Sequence, residues 1–311
     1  MGKFFSKHVI ILVIIFLFSL FASQKLLTEK FYTSHDGGGH IIRMIEFDDA
    51  VKEEQFPVRL TKRINYGMGY PFFNFNYPFI YYLGEGLHLL GLSFVDTFKA
   101  IMILSVFLGG AAMCLFARFF FDKTGALISS IFFMIAPYKF LNMYVRGNVA
   151  ESFALSLIPL WFWAIERLVK NEKYATVSAI AVLSILILSH NITAMLAIAL
   201  GMGYFFFRLA IVKKDKKKFL KNFIQTFAVS FLLTAVFTIP VFVESPSTKL
   251  VELTNDYREF FPTAQELLYS PWGFGAYVQG VAPGKMSPQI GIAHVLVFIS
   301  SCFIILYTLK E

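Results

Sequence analysis

The chain carries little charge for its length. Of its 311 residues, 15% are Asp, Glu, Lys or Arg, whereas 57% are hydrophobic. Soluble globular domains average about 25% charged residues. This composition argues against a soluble enzyme or binding module and predicts a membrane protein that crosses the bilayer several times.

Cysteine is also scarce. The two cysteines, Cys114 and Cys302, both fall inside apolar segments. A disulfide-stapled extracellular scaffold is therefore excluded, and the redox compartment cannot be inferred from them. We interpret both as buried core residues.

Long apolar runs dominate the rest of the chain. The first follows Lys3 and Lys7, and the bulky Leu20 and Phe21 stand where a signal peptidase needs small side chains, which favours a retained signal anchor over a cleaved signal peptide. The runs predict an all-α integral membrane protein with about eight transmembrane helices. They cover residues 9–22, 97–120, 125–141, 150–165, 174–188, 192–212, 223–243 and 289–309.

The distribution of basic residues predicts the orientation. With the N-terminus in the cytoplasm, cytoplasmic segments hold 15 of the 28 Lys and Arg with five acids, which leaves 13 basic and 15 acidic residues outside. This asymmetry follows the positive-inside rule. The basic run 213–221 is its clearest mark, so we interpret that run as a topology signal and expect no nucleic-acid partner.

The same topology gives a single polytopic domain, 1–311, with two long extracytoplasmic segments, 23–96 and 244–288. The cytoplasmic connections are short. Because loops on a rigid helical scaffold usually carry the chemistry, we expect the active face on the extracytoplasmic side of the cell membrane. The second segment is rich in Pro and Gly, and either closes over a substrate or is an ordered surface loop.

The first external segment contains a glycine-rich motif at residues 34–40. His35, Asp36 and His40 flank three glycines. Glycine permits positive φ and close approach of a ligand, while His and Asp exchange protons near neutral pH. This combination suits catalysis, although a solvated turn in which Asp36 caps the next helix is the alternative.

Downstream of this motif, residues 41–51 show a three-four spacing that predicts an amphipathic helix in the headgroup region, with Glu46, Asp48 and Asp49 facing water or headgroups. The aromatic stretch 65–78 suits an interfacial belt or a sugar-stacking platform.

Two polar clusters fall at outer helix ends. Arg146 and Glu151 lie between the third and fourth spans, and His190 and Asn191 between the fifth and sixth. Ionisable groups at this depth usually face a cavity or a partner. The alternatives are an ion pair that braces a turn for Arg146 and Glu151, and a helix cap for His190.

In combination, these motifs resemble the GT-C membrane glycosyltransferases, and more closely the bacterial membrane proteins called 6-pyruvoyl-tetrahydropterin synthase-related, a name that implies no pterin chemistry at these residues. The similarity extends to about residue 243. The motifs that carry it are His35-Asp36-Gly37 with His40 and Arg43, Phe56-Pro57-Val58-Arg59, residues 65–71, Arg146-Gly147 with Glu151, and residues 188–191.

The resemblance implies sugar transfer from a polyprenyl-phosphate donor to a glycan, lipid or protein acceptor on the extracytoplasmic face. The essential acid of the first loop maps onto Asp36, with His35 beside it. Arginine binds phosphate in a bidentate manner, so Arg146, Arg59 and Arg63 are the candidate donor-binding residues.

We expect His40, Glu151, His190 and Asn191 to act as supporting polar residues. Mg²⁺ or Mn²⁺ bridging Asp36 and Glu151 is an option that the residues leave open. Membrane lipids are expected partners in any case. The competing class of function is a lipid-carrier flippase or transporter, or a structural membrane protein. Transporters tend to place charges and helix breaks at the bilayer midplane.

The charge asymmetry makes a testable prediction about topology. A cysteine introduced at Gly38 or Gly284 should react with an impermeant thiol reagent applied from outside, and one at Asp215 should not. The opposite labelling pattern would overturn the whole arrangement.

Overall fold

A computed structural model describes residues 2–28, 30–248, 257–277 and 284–308, and within these ranges the chain is helical and contains no β-strand. The predicted all-α class is confirmed. The helices are α1 Gly2–Ala22, α2 Gly37–Lys52, α3 Phe72–Phe75, α4 Phe79–Leu89, α5 Phe94–Ala117, α6 Lys123–Met134, α7 Pro137–Phe140, α8 Val149–Val169, α9 Ala175–Ser189, α10 Asn191–Ile211, α11 Lys216–Glu244, α12 Ala264–Leu268 and α13 Ile292–Thr308.

Each of the eight predicted apolar runs contains a helix, but the helices differ in length. Among the described residues, α5, α8, α10 and α11 are long and apolar enough to cross a membrane. Helices α6 and α7 are joined by a 47° bend, and α7 continues into a π-helical turn, Leu141–Arg146, so this pair is a broken span or a re-entrant loop. The other apolar helical stretches are shorter, namely Val9–Ala22 within α1, Ala175–Ser189 and Ile292–Thr308. A multi-pass membrane fold is supported, and the number eight stays a prediction.

Helices α5 and α8 form the centre of the bundle. Ser156 of α8 donates a hydrogen bond to the carbonyl of Ser105 on α5. A Cβ on Gly109 would lie only 3.1 Å from the same hydroxyl, so the small residue lets the two helices approach. Pro159 lies inside α8 and Pro240 inside α11, and both helices continue through them.

Helix α2 differs from its prediction in two respects. It begins at Gly37, so all three glycines of the motif belong to its first turn and none has a positive φ. The helix also packs into protein, because Met44 and Phe47 are buried against α4 and neighbouring aromatic residues, while its position in the headgroup region stays a prediction.

The prediction that Glu46 and Asp48 face water or headgroups is also wrong. Both side chains are buried. Glu46 pairs with Arg63, and Asp48 pairs with Lys52 one turn later. A buried carboxylate needs such partners because desolvation penalises its charge.

Segments predicted to be external contact one another at one end of the bundle. His35 contacts Phe274 of the second external segment, and Asn74 donates a hydrogen bond to Glu244 at the end of α11. At the opposite end, Arg167 pairs with Glu172 within a predicted cytoplasmic connection. The helix directions therefore agree with the predicted topology, while the side of the membrane stays a prediction.

The two external labelling positions proposed above differ in how well they accommodate a cysteine. A Cβ at Gly38 would meet no atom within 4 Å. Gly284 has a φ of +77°, which side chains rarely adopt. Gly38 is therefore the better external position for a cysteine.

The packing of α2 can be tested at Phe47, which is fully buried and contacts Phe73 and Tyr82 edge-on at ring-centroid distances of 5.0 and 4.7 Å. Replacing it with alanine should cost about 3–5 kcal/mol of stability, measured by thermal unfolding in detergent. Ile42→Ala is the matched control, since Ile42 is 56% exposed on the same helix. Equal losses in the two variants would mean that α2 does not pack as described.

Candidate functional site

The site is built on two backbone hydrogen bonds between distant parts of the chain. The amide of His35 donates to the carbonyl of Val145 at 3.0 Å, and the amide of Asp36 donates to the carbonyl of Arg146 at 2.7 Å. These bonds bring the start of α2 against the π-helical turn before α8. Asp36 and Arg146 are thereby placed side by side.

Two glycines make this contact possible. Gly147 has a φ of +64°, and a Cβ there would lie 2.3 Å from the Ser34 hydroxyl and 3.1 Å from the Gly37 amide nitrogen. A Cβ on Gly37 would likewise lie 2.4 Å from the Ser34 hydroxyl. The first glycine of the motif therefore serves close packing between two backbones, whereas the sequence suggested ligand access.

Asp36 occupies the N-cap position of α2, but its side chain makes no capping hydrogen bond. Asp36 therefore stands at the helix-cap position that the alternative predicted, but its side chain does not form the hydrogen bond of a helix cap. Within the described ranges, its carboxylate forms no salt bridge either. The side chain is half-buried, so a carboxylate oxygen is available to a ligand at this end of the bundle.

Arg146 and Glu151 form the ion pair that the sequence offered as one alternative. Nη1 of Arg146 lies 2.6 Å from Oε2 of Glu151 and donates to the Tyr138 hydroxyl at 2.7 Å. Tyr138 in turn donates to the other carboxylate oxygen of Glu151 at 2.5 Å. The side chain of Asn148 accepts a hydrogen bond from the Glu151 amide and caps α8.

Aromatic and imidazole side chains pack against one another next to the site. The ring of Tyr77 lies 4.9 Å from that of His190 and stacks on Tyr81. Burial raises the pKa of Tyr77 to about 12, although Arg43 lies nearby. His190 begins α10, where its Nδ1 accepts a hydrogen bond from the Thr193 amide, so the capping role considered for it is present.

His40 lies one turn after Asp36 and is almost completely buried. Its Nδ1 is 3.1 Å from the Tyr81 hydroxyl. Burial, and then the positive charge of Arg43, lower the pKa of His40 to about 3. The imidazole therefore stays neutral at physiological pH and acts as a hydrogen-bonding support.

His35 is exposed and meets the second external segment. Its Nε2 is 2.5 Å from the carbonyl oxygen of Phe274, and the two rings pack edge-on at 4.7 Å. This contact places residues of the second segment over the start of α2. His35 is thus positioned to hold these residues of the second segment next to Asp36.

Two of the three arginines predicted to bind the donor are held by other groups of the protein. Arg63 pairs with Glu46 and Asp49, which lie ten and thirteen residues after Asp36, about 15–20 Å along α2. Arg59 donates to the side chain of Asn74 and to the carbonyl of Val236.

Of the three, Arg146 lies beside Asp36, and the donor-binding role of all three arginines stays a prediction. Asn191 lies close to the site at the start of α10, where its side-chain amide donates to the Phe75 carbonyl.

The expectation of a metal bridging Asp36 and Glu151 does not fit the geometry. Both Glu151 oxygens are already bound, one by Tyr138 and the other by Arg146. Among the described residues, no group of three or more His, Cys, Asp or Glu side chains is placed to hold a metal ion. We derive no step through a metal.

Comparison with known proteins places this site in a family. Residues 73–305 match the model of the 6-pyruvoyl-tetrahydropterin synthase related domain, described as a membrane protein. The chain belongs to this family. The matched region contains Arg146, Glu151 and His190, and Asp36 lies before it.

One similar protein is described as an uncharacterised protein of Lactococcus lactis subsp. cremoris (strain MG1363). It is 23% identical over 282 residues, an alignment that covers 86% of this chain and 44% of the relative. The chain thus spans less than half the length of that relative. No solved structure matches the chain.

Sequence reasoning did not assign a role at the site to Arg43, Tyr77 or Tyr138. Arg43 was named from the sequence only among the motifs of the resemblance, yet Asp36, His40 and Arg43 follow the i, i+4, i+7 spacing of one helical face. That spacing becomes visible once α2 is extended back to Gly37. Tyr138 was not singled out because it meets Arg146 eight residues later, where α7 passes into the π-helical turn, and the sequence did not predict that turn.

The buried neutral His40 predicts a pH dependence of stability. The unfolded chain takes up a proton near pH 6.5 and the folded state does so only near pH 3, so stability is lost as the pH falls below about 6.5. Between pH 7 and 5 this should amount to about 2 kcal/mol. Thermal unfolding of wild type and His40→Gln measures it, and the loss should shrink in the variant.

His35→Gln is the matched control for this experiment. His35 is exposed on the same segment, so its replacement should leave the pH dependence unchanged. An identical slope in wild type and His40→Gln would show that another group titrates.

Proposed function

We propose that the protein is a GT-C-like membrane glycosyltransferase that moves a sugar from a polyprenyl-phosphate-linked donor to an acceptor on the extracytoplasmic face. The observation that carries the proposal is the state of the Asp36 carboxylate. Among the described residues it makes no capping hydrogen bond and no salt bridge, and the backbone amide of Asp36 holds it beside Arg146. A base and a cation side by side are what transfer from a phosphate leaving group requires.

In the proposed reaction, an acceptor hydroxyl attacks the anomeric carbon of the donor sugar, and a new carbon–oxygen bond forms as the bond to the phosphate oxygen breaks. Asp36 takes the proton of the hydroxyl. The negative charge stays on the polyprenyl phosphate, where the Arg146 guanidinium neutralises part of it. Glu151 and Tyr138 hold that guanidinium through its Nη1, which leaves its other nitrogens to face a phosphate.

One structural feature favours a lipid-carrier transporter as the second candidate function. The span formed by α6 and α7 is bent by 47°, and broken helices of this kind line binding sites in transporters. The break leads directly into the turn that carries Arg146. A carrier would use the arginine to bind phosphate without any need for a base.

The role of Asp36 separates these two functions. Asp36→Asn is nearly isosteric and removes the base, so transfer from a polyprenyl-phosphate sugar by purified protein should fall about a hundred- to ten-thousand-fold, with membrane insertion unchanged. Glu54→Gln is the matched control, because Glu54 is an exposed acid beyond the other end of α2. Glu46 and Asp48 are unsuitable controls because they are buried in ion pairs.

An Asp36→Asn variant that keeps more than about a tenth of the transfer activity would remove Asp36 from the mechanism. A second assay follows movement of the lipid-linked sugar across liposomes. Movement that is unaffected by Asp36→Asn, in a protein without transfer activity, would favour the carrier.

A further inference from the structure

A groove of about 370 Å³ lies between α1, α5 and the C-terminal end of α8, at the opposite end of the bundle from Asp36. Ile11 and Leu12 of α1 form one apolar wall, and Ala111 and Leu115 of α5 form the other. The small side chain of Ala111 leaves space between the two helices. The groove therefore opens beside the parts of the bundle that cross the membrane.

Positive charge is concentrated at one end of this groove. Arg118 and Lys170 line it there, about 10 Å beyond Ala111 along α5. In the described part of the chain, neither forms a salt bridge with a carboxylate. Glu172 also lines the groove, but its charge is already compensated by Arg167 at 2.9 Å.

The depth of the cationic end fits the headgroup region of a bilayer. Trp163 of α8 lines the groove near Arg118, and tryptophan is enriched at the membrane–water interface. Lys170 lies just beyond the end of α8, with its Nζ 4.4 Å from the centre of the Phe119 ring. The groove thus combines an apolar channel at acyl-chain depth with two cations at headgroup depth.

We propose that this groove is a specific binding site for one phospholipid with an anionic headgroup. An acyl chain lies between α1 and α5, and Arg118 and Lys170 bind the phosphate and the anionic headgroup. Two cations match a headgroup with net negative charge better than a zwitterionic one, whose own ammonium group they would repel. The site is separate from Asp36 and does not depend on the proposed sugar transfer.

Native mass spectrometry of the purified protein, titrated with phosphatidylglycerol or phosphatidylcholine, tests the proposal. Wild type should retain one phosphatidylglycerol molecule with clear preference over phosphatidylcholine. Each cation near an anionic headgroup contributes about fivefold in affinity, so Arg118→Gln with Lys170→Gln should bind phosphatidylglycerol about 25-fold more weakly. Ala111→Leu, which narrows the groove without changing charge, should weaken binding of the lipid as well.

Lys213→Gln with Lys214→Gln is the charge-matched control, since both lysines are exposed at the same end of the bundle and do not line the groove. This pair should bind phosphatidylglycerol as wild type does. The proposal is overturned by equal retention of the two lipids in wild type, by unchanged binding in the Arg118 and Lys170 variant, or by an equal loss in the control pair. If the double variant fails to fold, Lys170→Gln alone, with an expected fivefold loss, decides the question.

Discussion

The two backbone hydrogen bonds between residues 35–36 and 145–146 are the contact on which the candidate site depends. They join parts of the chain about 110 residues apart and hold the start of α2 on the helix bundle. The contact requires both Gly37 and Gly147, because a Cβ on either would collide with Ser34. Without it, Asp36 would belong to a surface loop and Arg146 to an isolated turn.

The hydrophobic pattern predicted the fold class and the helices well, because it acts locally along the chain. Apolar runs became helices at every predicted position, and Asp36, Arg146, Glu151 and His190 were each identified from their place beside a helix end. The burial of α2 by protein was missed because the period of the helix was read from Ile41. Phe47, which is fully buried, shows that a second face of the helix is covered by protein.

What the sequence could not predict depends on partners that meet through the tertiary fold. Arg59, Arg63 and Arg146 are equally good phosphate ligands by chemistry, and only the fold shows that Arg63 is held by Glu46 and Asp49 and that Arg59 is held by Asn74. The bend between α6 and α7 is also a tertiary feature. Tyr138 and Arg146 both lie after this bend, and they meet where α7 passes into the π-helical turn, an irregularity that the apolar pattern does not reveal.

The two ends of the bundle use cations differently, and the difference follows from desolvation. Arg146 is partly buried, so its charge requires Glu151 and Tyr138 as partners, and the ion pair alone is weak evidence for a functional role. What argues for function is the unpaired Asp36 beside that pair, because an acid placed next to a guanidinium would normally join the ion-pair network. At the opposite end, Arg118 and Lys170 are exposed, so water can solvate their charges without a carboxylate partner, and a lipid phosphate is the counter-ion that we propose for them.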